Sequence, residues 1–145
     1  MILVALAAAC SGLFAGAAAY INFVEHPARL ESGTVVAVAE FRPSYRRATV
    51  MQASLAIAAA TNGFAGWLEG GNSLVLIGTL FMASVIPYTF ATVFPTNKRL
   101  LDPGLDPASQ EAARLLGRWA ALHAVRTVLA AFAFFAFLYA LSEGT

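Results

Sequence analysis

Residues 118–126 read RWAALHAVR and lead into an apolar run from Thr127 to Leu141. In a helix, Trp119, His123 and Arg126 stand at i, i+4 and i+7 and therefore share one face. At about 1.5 Å per residue the whole segment is long enough to cross a bilayer. An ionisable side chain inside such a segment costs roughly 2.5–3.5 kcal/mol, so it normally faces a protein interior and a partner. We therefore predict a membrane helix whose polar face is covered by the rest of the chain.

The composition of the chain is that of an integral membrane protein with the lipid bilayer as its surroundings. Of its 145 residues, 59% are hydrophobic and 12% are charged, whereas a soluble domain carries about 25% charged residues. The formal net charge of +1 gives no reason to expect nucleic acid as a partner. The single cysteine, Cys10, has no second cysteine in the chain with which to form a disulfide.

The order of apolar and polar stretches predicts an all-α integral membrane bundle of four transmembrane helices with short loops, in one domain over residues 1–145. The four helices are predicted at about residues 1–25, 44–68, 73–94 and 109–141. Pro27 disfavours helix at His26, so helix one should end there, followed by a polar connection over residues 28–43. Pro87 should kink helix three, and Ser109 is a suitable N-cap for helix four.

The basic residues predict how the helices are oriented. Lys and Arg flank the first and third predicted loops, whereas the second loop and both ends of the chain carry none. The positive-inside rule therefore predicts that loops one and three are cytoplasmic and that both termini lie outside.

Helix one contains a pair of small residues, Gly12 and Gly16, spaced four apart. Such pairs let two helices approach closely. The pair is expected to serve packing within the bundle, and a homo-oligomer that associates through Gly12 and Gly16 is the second possibility.

Polar residues of all four helices are predicted to lie at one depth, within about 15 Å of the cytoplasmic ends by helix rise. They are Asn22, Glu25 and His26 on helix one, Gln52 on helix two, Asn97 on helix three, and Trp119, His123 and Arg126 on helix four. Each also has a purely structural interpretation. Trp119 fits an interfacial anchor, Gln52 an interhelical hydrogen bond, and Arg126 an ion pair with Glu25. The shared depth is what favours a functional site.

Two kinds of site are compatible with these residues. His26, His123 and Glu25 could hold a transition metal or a haem, although two histidines and a carboxylate are few ligands. A site without a metal is equally compatible, with His123 as a general base beside Arg126 as an oxyanion stabiliser. No GxSxG, Walker or CxxC pattern is present, so hydrolase, nucleotide and thiol-redox functions have no support. We predict no cofactor, with a transition metal or haem as the alternative.

Three short motifs, in order along the chain, resemble the signatures of the anthrone-oxygenase-like membrane family. They are EHPA at residues 25–28, FPTNKRL at residues 94–100, and Trp119-x₃-His123-x₂-Arg126. The resemblance implies an integral membrane protein whose characterised fungal relatives oxidise anthrones to anthraquinones with molecular oxygen and without a conventional organic cofactor. Much of the family is catalogued only as a domain of unknown function. By matching position, the resemblance implies Glu25, His26, Asn97, Trp119, His123 and Arg126 as site residues.

The resemblance and the shared depth together predict an oxygenase-like protein acting on an anthrone-type or other planar, phenolic, lipophilic substrate. His123 is expected to remove a proton and Arg126 to stabilise the resulting phenolate, which then reacts with oxygen. Gln52, Tyr88, Asn97 and Trp119 are expected to contact the substrate, and Glu25 or His26 to orient groups or relay protons. The alternatives are a noncatalytic membrane partner and a metal- or haem-binding four-helix protein. A small transporter is disfavoured because the outer halves of the helices carry few polar residues.

Overall fold

The computed structural model describes residues 1–144 and, over that range, consists of four long helices with no strand. We number them α1 (Ile2–Glu31), α2 (Thr34–Leu68), α3 (Ser73–Leu100) and α4 (Gln110–Ser142). Each helix packs against the next one in the chain, and α1 also packs against α4, so the helices form a closed ring. The ring encloses two clusters of buried apolar side chains. The predicted all-α bundle is therefore confirmed.

Close approach between helices in the core depends on glycine. Phe137 of α4 is fully buried and lies between Gly63 of α2 and Gly78 of α3. A Cβ at Gly63 would lie 2.8 Å from Phe137 Cζ, and a Cβ at Gly78 would lie 3.0 Å from Phe137 Cε1. In the same way, a Cβ at Gly12 of α1 would lie 2.7 Å from the ring of Phe134, so Gly12 serves packing within the chain. A Cβ at Gly16 would have no neighbour within 4 Å, and a homo-oligomer through Gly16 stays a prediction.

Among the described residues, three helices are long and apolar enough to cross a membrane: α1, α3 and α4. The fourth, α2, is long enough but less apolar, because its first half carries Glu40, Arg42, Arg46 and Arg47. The prediction that all four helices span the membrane therefore has support for three of them. The cytoplasmic position of loops one and three stays a prediction.

The prediction that helix one ends at His26 is wrong. α1 continues to Glu31 through a π-helical segment, Ile21–Glu25, in which the N–H of His26 donates to the carbonyl of Ile21, five residues back. Proline lacks the N–H of an ordinary helical turn and crowds the carbonyl four residues earlier. A wider turn just before Pro27 accommodates both the missing N–H and the crowding.

The same device extends α3 beyond its predicted end at residue 94. A second π-helical segment, Thr89–Val93, lets the N–H of Phe94 donate to the carbonyl of Thr89, and Pro95 follows directly. The helix then runs on to Leu100 and places Asn97 inside the bundle. Pro87 lies inside α3 as expected, immediately before this segment.

The second helix begins at Thr34, ten residues before its predicted start at 44. Most of the predicted polar connection is therefore helical, and Ser32 and Gly33 alone join α1 to α2. Gly33 has a φ of 90°, a backbone conformation that glycine adopts without steric cost and that allows the tight reversal. An ion pair between Arg29 and Glu40 ties the two helices together beside this turn.

The other helix starts agree with the sequence. Ser109 caps α4 by accepting from the N–H of Ala112, as predicted, and Asn72 caps α3 by accepting from Leu74. In the loop before α4, the backbone N–H of Gly104 and the guanidinium of Arg99 hold the pKa of the Asp102 carboxyl below its usual range. The predicted α3–α4 turn is thus stabilised by local hydrogen bonds.

Candidate functional site

The candidate site is built around the indole of Trp119, inside the bundle. Trp119 Nε1 donates to Asn97 Oδ1 at 2.7 Å. The imidazole of His123 stacks on the indole with ring centroids 4.7 Å apart, and the imidazole of His26 lies against it at 5.1 Å. All four side chains are buried. Residues predicted from α1, α3 and α4 are therefore brought together in one cluster.

His123 is held by Asn22, a residue that the sequence places among the converging polar side chains without giving it a chemical role. The Nδ1 atom of His123 lies 2.8 Å from Asn22 Oδ1. The same oxygen accepts from Thr127 Oγ1 at 2.7 Å, and Asn22 Nδ2 donates to the carbonyl of Ala120 at 3.2 Å. Asn22 lies in the π-helical segment of α1. An amide in an otherwise apolar stretch was the available signal, but its partners depend on the path of the helix.

Arg126 reaches α2 and not α1. Its Nη2 donates to Gln52 Oε1 at 2.8 Å, and its guanidinium lies over the ring of Phe14, 5.4 Å from the centroid. No carboxylate forms an ion pair with it in residues 1–144, so the predicted pair with Glu25 is wrong. Arg126 Nε and Gln52 Nε2 are buried and have no partner among the described residues. Two donors of neighbouring side chains are thus left without an acceptor.

Glu25 is bound within its own end of the bundle. It pairs with Arg29 one turn later in α1 and accepts from Ser44 Oγ at 2.9 Å. Arg29, whose side chain is 3% exposed, also pairs with Glu40 of α2. Because α1 continues past His26, Arg29 lies one helical turn after Glu25 on the same helix. Arg29 therefore pairs with Glu25 in place of the expected partner, Arg126. Arg29 was missed because it was assigned to a loop, although the i, i+4 spacing of the two residues signals the pair.

A small cavity of about 30 Å³ lies among these side chains, with room for about one water molecule. Six of the eight residues predicted for the site line it: Glu25, Gln52, Asn97, Trp119, His123 and Arg126. The other two do not. His26 lies behind the indole of Trp119, and Tyr88 donates to the carbonyl of Leu122 at 3.2 Å.

A larger pocket of about 240 Å³ lies between α2 and α3 and shares a wall with the small cavity. The shared wall consists of Tyr45, Thr49, Gln52, Asn97 and Arg126. The remaining lining is mainly apolar: Phe14, Ala53, Ala56, Val85, Ile86, Thr89, Phe90 and Phe94. Phe90 is 67% exposed and Phe94 44%, so the pocket reaches the outer surface of the bundle between the two helices. The buried amides of Gln52 and Asn97 therefore stand at its inner end, and the exposed rings of Phe90 and Phe94 at its mouth.

The depth predicted for the site is too shallow on α2. Because α2 begins at Thr34, Gln52 lies 18 residues into the helix, or about 27 Å at 1.5 Å per residue. Asn97 lies three residues from the end of α3. Arg126, the partner of Gln52, lies 16 residues from the start of α4, so helix ends are not a common reference level.

The donor set for a metal ion is small. No group of three His, Cys, Asp or Glu side chains within residues 1–144 is placed to share one ion. Of the three proposed ligands, Glu25 is engaged by Arg29 and Ser44, which leaves the imidazoles of His26 and His123. Both ring nitrogens of His26 are buried without a partner among the described residues.

Comparison with known proteins places this site in a family. The family model described as anthrone oxygenase matches residues 41–136, which contain Gln52, Tyr88, Asn97, Trp119, His123 and Arg126. The chain is 40% identical over 63 residues to anthrone oxygenase tpcL of Aspergillus fumigatus, an alignment that covers 41% of this chain and 39% of that protein. The alignment thus spans about two fifths of the curated relative. No solved structure matches the chain. Because the family model covers about two thirds of the sequence, including most of the cluster around Trp119, the chain belongs to the anthrone oxygenase family.

Proposed function

We propose that this protein is a membrane-embedded oxygenase that converts a planar, lipophilic phenolic substrate of the anthrone type to the corresponding quinone with molecular oxygen. In the net reaction a ring methylene loses two hydrogen atoms and gains one oxygen atom, and the second oxygen atom leaves as water. The observation that carries the proposal is the position of Arg126. Its guanidinium lines both the cavity beside His123 and the apolar pocket between α2 and α3.

The pocket between α2 and α3 has the shape and chemistry for a flat aromatic molecule. Ligand pockets are typically ~300–1,000 Å³, apolar, with a few polar groups that fix orientation. This pocket, at about 240 Å³, is small, with exposed aromatic rings at its mouth and the buried amides of Gln52 and Asn97 at its inner end. A planar substrate would enter edge first between α2 and α3, past the rings of Phe90 and Phe94, and bring its oxygen-bearing ring toward Arg126.

His123 and Arg126 divide the chemistry between them. His123 removes a proton from the methylene carbon, because its ring lines the small cavity and Asn22 engages its other ring nitrogen, Nδ1. Arg126 Nε and Gln52 Nε2, which lack acceptors, donate to the oxygen atom on which the negative charge then resides. The electron-rich anion transfers an electron to molecular oxygen and forms a C–O bond with it, and the proton held by His123 completes a hydroperoxide. Loss of water from the hydroperoxide breaks its O–O bond and the remaining C–H bond and leaves the quinone carbonyl. Asn97 and Trp119 form the adjoining wall.

The membrane setting follows from the apolar helices and the basic residues. α1, α3 and α4 have the length and composition of membrane spans, and we propose that α2 crosses beside them as the fourth. Loops one and three are then cytoplasmic and both termini external. The mouth of the pocket between α2 and α3 would face lipid, so that an apolar substrate partitions from the bilayer directly into the site.

Oxygen uptake by the purified protein in detergent tests the proposal, with anthrone as the substrate and anthraquinone formation measured in parallel. Because anthrones oxidise spontaneously, the protein-free rate and the rate with heat-denatured protein are subtracted. We expect one molecule of oxygen consumed per anthraquinone formed. The variants His123→Gln and Arg126→Met should each lose roughly 10²-fold or more in kcat. Arg118→Met, an exposed arginine two turns earlier on the same helix, is the matched control and should retain activity.

Two results would contradict the proposal in different ways. Wild-type protein that never exceeds the protein-free rate across a panel of anthrones favours the alternative of a noncatalytic membrane partner. A Soret band, or stoichiometric copper or iron in the purified protein, rejects the part of the proposal that requires no cofactor. In that case the imidazoles of His26 and His123 become the first candidates for ligands.

A further inference from the structure

From the hydrogen bonds of the Asn22 amide we infer that Asn22 is a positioning residue. It keeps the proton of neutral His123 on Nδ1 and so presents the unprotonated Nε2 to the cavity. The inference rests on the proposed function only for its catalytic consequence. The tautomer itself is a property of the resting protein and is tested without substrate.

A backbone carbonyl, and not His123, fixes the orientation of the Asn22 amide. Its Nδ2 donates to the carbonyl of Ala120 at 3.2 Å. A flipped amide would place an oxygen against that carbonyl oxygen, two acceptors facing each other with no proton between them. The orientation with Oδ1 toward His123 and Thr127 is therefore required by the backbone of α4.

Once the amide is fixed, only donors can face its oxygen. Thr127 Oγ1 lies 2.7 Å from Oδ1 and His123 Nδ1 lies 2.8 Å from it. The hydroxyl of Thr127 supplies one proton. The imidazole must supply the other, because an unprotonated Nδ1 would meet the oxygen lone pair to lone pair. Neutral His123 thus carries its proton on Nδ1 and has its lone pair on Nε2.

The π-helical segment of α1 is what delivers Asn22 to this position. Ile21–Glu25 forms the widened turn, and Asn22 is its second residue. Wide turns of this kind occur frequently at functional sites. In this arrangement the Asn22 amide orients the base, His123, as a carboxylate more commonly does.

The chain is well suited to a direct test because it contains two histidines. Protein with ¹⁵N-labelled histidine in detergent gives ring-nitrogen signals that separate protonated from unprotonated nitrogen, and the His26→Gln variant assigns them. In the wild type at a pH where the ring is neutral, we expect His123 to carry its proton on Nδ1. A wild-type spectrum with the proton on Nε2 would overturn the inference outright.

Three substitutions complete the test. Asn22→Leu removes the acceptor, so the Nδ1 proton should no longer be favoured. Asn22→Asp gives up the hydrogen bond to the Ala120 carbonyl but keeps an acceptor oxygen that can face Nδ1, and should keep the proton on Nδ1. Thr127→Val removes the other donor to the same amide oxygen without touching the imidazole, and should leave the tautomer of His123 as in the wild type. If Asn22→Leu folds and retains the wild-type tautomer, Asn22 does not set it. If Asn22→Leu does not fold, the wild-type and Asn22→Asp spectra still decide.

The catalytic consequence is a separation of kcat from KM. Asn22 does not line the apolar pocket, so Asn22→Leu should leave KM for anthrone near the wild-type value and lower kcat at least roughly tenfold, toward the ~10²–10⁴-fold that a general base contributes. A rise in KM with unchanged kcat would contradict a role through His123. The measurement of the tautomer uses no substrate, so it tests the inference even if anthrone is not a substrate.

Discussion

Replacing Gly63 by alanine should destabilise the bundle, because Phe137 and Thr79 occupy the space that the new methyl group needs. The added Cβ would lie 2.4 Å from Thr79 Oγ1 and 2.8 Å from Phe137 Cζ. The Thr79 hydroxyl is bound to the carbonyl of Val75 at 2.8 Å, and Phe137 also packs closely against Gly78. Neither neighbour can withdraw without disturbing a second contact.

Two opposing terms set the size of the effect. Forcing a methyl group into a packed core costs about 1–3 kcal/mol, whereas alanine is favoured over glycine in a helix by up to about 1 kcal/mol. The net expectation for Gly63→Ala is a loss of about 1–2 kcal/mol in the free energy of unfolding. Gly16→Ala is the matched control, because nothing lies within 4 Å of its new methyl group, so only the favourable helix term applies.

Unfolding in detergent, followed by circular dichroism against a chemical denaturant, measures both variants under identical conditions. Gly63→Ala should unfold at lower denaturant than the wild type, and Gly16→Ala at the same or higher denaturant. The double variant Gly63→Ala with Thr79→Ala should lose less than the sum of the two single losses, since the nearest clashing atom is gone. Equal stability of Gly63→Ala and Gly16→Ala would refute the packing argument.

Three further predictions concern topology and the polar contacts. A reporter fused after Thr145 should score as external, because Lys and Arg flank loops one and three alone; a cytoplasmic signal would reverse the orientation. Asn97→Leu leaves the buried Trp119 N–H without an acceptor and should lower the free energy of unfolding in denaturant by about 1–3 kcal/mol. Adding Trp119→Phe should recover part of that loss, and no recovery would argue against the hydrogen bond. Arg29→Met should lower the free energy of unfolding by about 1–2 kcal/mol in the same measurement, allowing for the partial exposure of its carboxylate partners. If the loss comes from the broken ion pair, adding Glu25→Gln should reduce it.

Much of the candidate site can be recognised from the spacing of polar residues along the sequence. Trp119, His123 and Arg126 share a face at helical spacing, and the fold brings that face into contact with Asn97, Gln52 and the α1 segment. The roles assigned to these residues remain proposals. The interhelical pairings were harder to predict. Glu25 was expected to meet Arg126 and instead pairs with Arg29, and Asn22, which fixes the ring of His123, had no assigned role.

The sequence alone determined the helical class, the apolar stretches and the Ser109 cap of α4, because these depend on hydropathy and hydrogen bonding within a few residues of chain. The tertiary structure decided which polar groups meet, because a contact between helices depends on how far each helix runs and how it is rotated. Prolines 27 and 95 read as helix ends in the sequence, yet each follows a widened turn that lets the helix continue. Such a turn changes the face on which every later residue lies. No local pattern in the sequence reports that rotation, and the partners of Asn22, Glu25 and Arg126 all depend on it.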